Sequence, residues 1–167
     1  LLGGFPGRIL LAPLGRRTDH RSGGSVRQLP QDRSRAALPR AARSIYDGAS
    51  FDNNLVCCDE KEIIAVDAVA NDLKRELVAC GAVEITREQA EAIARVVLLD
   101  YPGLNPRPNP KWVGRDATEL AAAAGLSVPE SCRLMIVDTG RDVDYVFARI
   151  EQMMPLVPVL RAKDFNE

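Results

Sequence analysis

From residue 62 onward the chain alternates short apolar runs with longer stretches whose apolar residues recur every three or four positions, and this alternation leaves few folds open. Glu62, Ile63, Ile64, Ala65 and Val66 read as a short strand. Asp67 is placed to cap a helix whose Val69, Leu73 and Leu77 share one face, and Gly81 supplies its stop. Residues 82–85 read as a second short strand. Thr86, with Gln89 three positions on, makes a capping box for a helix that aligns Ala90, Ile93, Ala94 and Val97. Residues 101–110 hold four prolines and two asparagines and read as a loop. Asp116 and Glu119 open a helix over 117–124 that Gly125 stops. Residues 133–137 then read as a buried strand, 146–150 as a helix and 156–160 as extended chain. Such a succession implies an α/β layered domain with a largely parallel sheet.

The chain has 167 residues, 46% of them hydrophobic, enough for one domain with a sizeable core, and no run approaches the ~20 apolar residues of a membrane span. Its net charge of −1 hides an asymmetry: residues 1–43 hold nine arginines against two aspartates, whereas residues 44–167 hold 13 basic and 21 acidic side chains. The first 14 residues are rich in leucine, but Gly3, Gly4, Pro6, Gly7, Arg8 and Pro13 break the run of about 7–15 apolar residues that a signal peptide needs. Residues 18–35 show no apolar period and read as an irregular basic arm. A nucleic-acid-binding arm is the alternative, but the segment has no aromatic residue for stacking and adjoins an acidic domain, so no nucleic-acid partner is expected.

Chemistry concentrates between Gly48 and Lys61, in the run G-A-S-F-D-N-N-L-V-C-C-D-E-K. A cysteine at the end of a small-residue, amide-rich loop just before an apolar strand is placed as a nucleophilic thiol would be. By itself Cys57 also reads as a small buried hydrophobe, the commoner fate of a free cysteine. Cys57, Cys58, Cys80 and Cys132 show no C-x-x-C spacing and the single histidine, His20, is remote in sequence, so neither a metal site nor a disulfide framework is expected. Adjacent cysteines rarely pair, because the geometry is strained. Reduced thiols in a cytoplasmic compartment are the expectation.

The run F-D-N-N-L-V-C-C-D-E-K resembles the catalytic cysteine segment of the CoA-acylating aldehyde dehydrogenases, especially the propionaldehyde dehydrogenases of bacterial microcompartments. Three more runs agree in order and spacing: I-A-V-D-A-V-A-N-D-L, then W-V-G-R-D-A-T-E-L-A-A-A-A-G-L-S-V-P from Trp112, then E-Q-M-M-P-L-V-P-V from Glu151. The likeness covers residues 37–165 and implies the three-layer catalytic domain of that family over residues 37–167, behind an irregular arm at 1–36. It implies that Cys57 attacks a short aldehyde, that hydride passes to NAD, and that the thioester on Cys57 is transferred to coenzyme A. Glu151 corresponds to the glutamate that holds the nicotinamide ribose, a task suited to a carboxylate accepting from two hydroxyls. The tetrahedral oxyanions need preorganised donors, and the Cys57 N–H is one this segment could supply. Asn54 reads as an Asx-turn residue shaping the loop. Lys111 and Arg115 are candidates for a CoA phosphate, and most surface cations simply face water. Asp144-Tyr145-Val146-Phe147 departs from the family's His-Pro-Phe and puts the approach to Glu151 in question.

Family members are much longer, and no G-x-G-x-x-G marks a dinucleotide fold here. The reading is therefore a truncated or frameshifted product with residues 1 to about 35 foreign to the fold, expected not to turn over alone because hydride transfer needs its acceptor held in place. A non-acylating aldehyde dehydrogenase or a non-catalytic assembly module remain the alternatives. The resemblance also implies homo-oligomers in full-length members and association with a microcompartment shell.

Overall fold

The computed structural model describes residues 8–11 and 31–163. A five-stranded, wholly parallel sheet runs in the order β1-β2-β7-β6-β3, with β1 at Arg8–Leu11, β2 at Glu62–Val66, β3 at Val83–Ile85, β6 at Met135–Gly140 and β7 at Leu156–Ala162. A separate two-stranded antiparallel ladder joins β4, Leu98–Leu99, to β5, Arg107–Pro108. The helices are α1 at Gln31–Ala49, α2 at Asp67–Cys80, α3 at Arg87–Val97, α4 at Ala117–Ala123 and α5 at Val146–Arg149.

Alternation along the strands sorts the core into two layers. In β6 and its approach, Leu134 and Ile136 meet α1 and α2 on one face, together with Ile63, Ala65, Val157 and Val159. Met135 and Val137 point the other way, into a cluster with α3, α4, α5, Met154 and Leu156. Both faces are covered, so the strands read as near-continuous apolar runs rather than as alternating ones. The three-layer α/β expectation holds.

Several local expectations hold as well. Thr86 and Gln89 form the complete capping box of α3. Gly81, at φ 114°, ends α2 in the left-handed conformation, with its N–H on Val78 and that of Ala82 on Leu77.

Others are corrected. Asp67 is not the cap of α2: Val66 occupies that position, and the Asp67 carboxylate in the first turn pairs with Arg141. The proline-rich stretch contains the short strand β5, because Asn109 N–H donates to Val97 and holds the segment against the end of α3. The irregular arm assigned to residues 1–36 contains two regular elements. Arg8–Leu11 pairs in parallel with Glu62, Ile63, Ile64 and Ala65, and α1 begins at Gln31. Leu38, Ala42, Ile45, Tyr46 and Ala49 line the buried face of α1, and packing on α2 carries the helix through Pro39. The rest of that expectation, with His20, falls outside the described residues.

Candidate active site

The parallel register of β2 on β7 pairs Ile63 with Val159, which sets the loops entering these two strands side by side. One carries Cys57 and the other carries Glu151. Lys61, at the entry to β2, is only 7% exposed, and its main-chain oxygen accepts from Gln152 of the second loop. Its Nζ donates to the main-chain oxygen of Asn54 at 2.6 Å and to Asn54 Oδ1 at 2.8 Å. Burial pulls the Lys61 ammonium below the usual lysine value, opposed by the negative charges of Asp59, Glu151, Cys57 and Cys58 around it.

Asn54 is completely buried, and its amide group makes no Asx turn. Nδ2 donates to Ala49 O and to Glu60 O, each at 2.9 Å, spanning the cysteine loop from outside. Within the loop, Asp59 N–H donates to Val56 O and Val56 N–H to Asp59 Oδ2, both at 3.1 Å, closing a tight turn with Cys57 and Cys58 as its central residues. Both thiols are exposed. With the Val56 and Asp59 amides engaged, those of Cys57 and Cys58 are the turn's candidates for an oxyanion.

The chain enters this turn through three successive left-handed residues, Asp52, Asn53 and Asn54, at φ 43°, 54° and 60°. Asp and Asn tolerate that conformation better than other side chains because they bond locally. Asn53 Nδ2 reaches Gly114 O at 3.0 Å and Asp116 Oδ1 at 2.7 Å. Gly114 N–H in turn donates to Met153 O at 3.0 Å. Three loops, each from a different motif of the sequence, are thereby knitted together.

Gln152 secures the third loop. It is fully buried, and its Nε2 donates to Lys61 O at 3.1 Å and to Leu156 O at 2.8 Å. Lys61 and Gln152 carried no sequence signal of function beyond lying inside the runs that resemble the family's. Their role comes from the pairing of β2 with β7. The Asp144–Phe147 departure proves to be packing: Tyr145 is buried edge-on to Phe147, centroids 6.0 Å apart, beneath the Arg87 guanidinium at 4.8 Å. Tyr145 and Phe147 thus anchor α5 and the approach to Glu151.

Lys111 and Arg115 both have partners within the chain. Lys111 lies over the Trp112 ring at 5.0 Å, and Arg115 pairs with Glu119. Asp116 and Glu119 already cap the start of α4 with carboxylates, which repel an anion there. Cys80 is half-buried against the first core layer, and Cys132 is buried with Sγ on Leu134 O. Among the described residues no group of three or more His, Cys, Asp or Glu side chains could hold a metal, and no helix is long and apolar enough to cross a membrane.

No family model matches the chain. An acetylating acetaldehyde dehydrogenase of Bilophila wadsworthia is 64% identical to it over 136 residues, covering 79% of this chain and 28% of that protein. The chain belongs to the CoA-acylating aldehyde dehydrogenase family. Among solved structures, a propionaldehyde dehydrogenase of Rhodopseudomonas palustris with bound propionyl-CoA is similar at a TM-score of 0.70 and 34% identity, over 77% of this chain and 27% of that one. A propionaldehyde dehydrogenase from the fucose utilisation microcompartment of Clostridium phytofermentans gives a TM-score of 0.70 and 36% identity, over 77% and 28%. The chain therefore spans about 28% of the length of its first curated relative.

Proposed function

We propose that residues 37–167 are the catalytic-domain portion of an aldehyde dehydrogenase that oxidises a short aldehyde to an acyl-CoA, with Cys57 as the acyl-carrying nucleophile. The observation that supports this reading is the pairing of β2 with β7, which brings the loop of the exposed Cys57 and the loop of Glu151 to the same edge of the sheet, joined where Gln152 Nε2 donates to Lys61 O at 3.1 Å. The names of the relatives support the acylating chemistry over a hydrolytic one.

The Cys57 thiolate attacks the aldehyde carbon, forming a thiohemiacetal; loss of hydride leaves a thioester on Sγ. A bound nicotinamide nucleotide supplies the hydride acceptor and coenzyme A the thiol that takes the acyl group. The residues fit the nucleotide in one respect: the Glu151 carboxylate is exposed beside the cysteine loop, where it can accept from a ribose diol. The turn amides of Cys57 and Cys58 hold the oxyanion, and Lys61 with Asn54 keeps that turn in place. Localisation in the cytoplasm, inside a microcompartment, accords with the microcompartment origin of the Clostridium protein.

Acyl transfer from propionyl-CoA tests the reading without the nucleotide. The expected result is a propionyl group on Cys57 that hydroxylamine removes and that Cys57→Ala abolishes; acylation at another cysteine, or none, refutes it. Steady-state NADH formation from propionaldehyde and coenzyme A reports separately on turnover by this chain, which is expected to be absent.

A further inference from the structure

The Cys58 thiol, unlike its main-chain N–H, has no part in the reaction just described, yet it is exposed on the residue next to Cys57, whose thiol is exposed as well. The two are the central residues of a turn closed at both ends by Val56 and Asp59. Lys61 Nζ and Asn54, bonded to each other at 2.6 and 2.8 Å, hold the base of this turn. Neither of the other described thiols competes. Cys80 packs against the first core layer and Cys132 is buried in the second.

We propose that the Cys57–Cys58 pair is a peroxide-modification site, in which Cys58 captures the sulfenic acid of Cys57 as a reversible vicinal disulfide. The inference rests on Cys57 being the reactive thiol. Its thiolate attacks one oxygen of hydrogen peroxide; the O–O bond breaks, an S–O bond forms, and the departing hydroxide takes a proton to become water. Cys58 then gives up its proton and attacks the sulfenic sulfur. The S–O bond breaks, the S–S bond forms, and hydroxide leaves with that proton as a second water. Two thiols are oxidised by two electrons and one peroxide is reduced.

Adjacency explains both speed and reversibility. Cys58 needs no segment to move into reach, so the sulfenic acid is captured before a second peroxide drives it to the irreversible sulfinic acid. Cα atoms of neighbouring residues lie about 3.8 Å apart, shorter than the roughly 4.4–6.8 Å that a relaxed disulfide spans. The bond is therefore strained and yields readily to thiol reductants.

The experiment treats the reduced chain with hydrogen peroxide and reads the Cys57–Cys58 peptide by mass spectrometry, beside Cys58→Ser, an exposed change that leaves the core untouched. In the parent chain the peptide loses the mass of two hydrogens without chain dimerisation, and dithiothreitol restores alkylation of Cys57 in full. In Cys58→Ser, dimedone traps the sulfenic acid, sulfinic acid accumulates, and dithiothreitol does not recover the thiol. Equal accumulation of sulfinic acid in both chains, or a disulfide joining two chains, overturns the proposal. Iodoacetamide labelling of the untreated chain separates the two readings. Cys57 labelled first but forming no disulfide sinks this inference alone, whereas Cys57 labelled no faster than Cys132 sinks the nucleophile assignment and this inference together.

Discussion

Asn53 Nδ2 donates to Asp116 Oδ1 at 2.7 Å across 63 positions of sequence, tying the cysteine loop to the start of α4. The same nitrogen donates to Gly114 O, whose residue is bonded through its N–H to Met153. One amide group thus links three loops.

Two variants separate the contributions of Asn53. Asn53→Gly keeps the left-handed backbone at no steric cost and loses two hydrogen bonds, about 0.5–1.5 kcal/mol each. Asn53→Ala adds roughly 1–2 kcal/mol for a Cβ in that conformation. Urea midpoints should fall in the order parent, glycine, alanine. Alanine at or above glycine would show that the φ of 54° is not retained.

Lys61→Met retains the aliphatic stem and strips two buried acceptors on Asn54 of their donor, at about 1–3 kcal/mol per orphaned group. Asn54→Ala removes the same contact from its other side. Because the two residues share one interaction, the double variant should lose less than the sum of the singles. Additive losses in a thermal double-mutant cycle would contradict the contact at 2.6 and 2.8 Å.

The far end of the sheet supplies a pH dependence. Asp138 on β6 accepts from Arg161 on β7 and faces Lys74 on α2 at 2.8 Å, while Gly140 N–H donates to its Oδ1 at the bulge. Desolvation raises the carboxyl, but the Arg161 and Lys74 bonds outweigh it and hold the group well below the usual carboxylate range. A depressed folded-state pKa means stability that is fully present above the unfolded value of about 3.9 and lost as pH falls towards the folded one. Asp138→Asn should cost about 1.5–3 kcal/mol at neutral pH and flatten the loss of stability below about pH 4. An unchanged acid limb in the variant's unfolding curves would remove Asp138 from this role.

Labelling order follows exposure. Burial pushes the Cys132 thiol up, with partial relief from its bond to Leu134 O, and its sulfur is shielded. Iodoacetamide followed by peptide mass spectrometry should find Cys57 and Cys58 modified first, Cys80 later and Cys132 last. Early labelling of Cys132 would mean that the second core layer opens locally.

The periodic segments were legible because local signals and packing agree: Thr86 with Gln89, Gly81, and the apolar faces of α2 and α3 each have a short-range cause. α1 was not. Its apolar face is spaced as a helix from Leu38 to Ala49, but Pro39 argues against helix locally, and burial against α2 overrides it. Asn54 was misread for a related reason. An asparagine before a turn has a common local partner, and here buried carbonyls of Ala49 and Glu60 claimed its amide instead.

The amino-acid order by itself determined the α/β class and the strand and helix succession after residue 62, since these depend on periodicity and on neighbours a few positions away, while the choice of Cys57 as the thiol worth following came from the resemblance of its run to the family's cysteine segment. It could not say that Gln152 would bond to Lys61, 91 positions earlier, and so bring the loop of Glu151 beside the loop of Cys57. Those relations exist only because β2 and β7, distant in the chain, lie side by side in a parallel sheet. Strand pairing of that kind is set by how both faces of the sheet are buried, which no local pattern records.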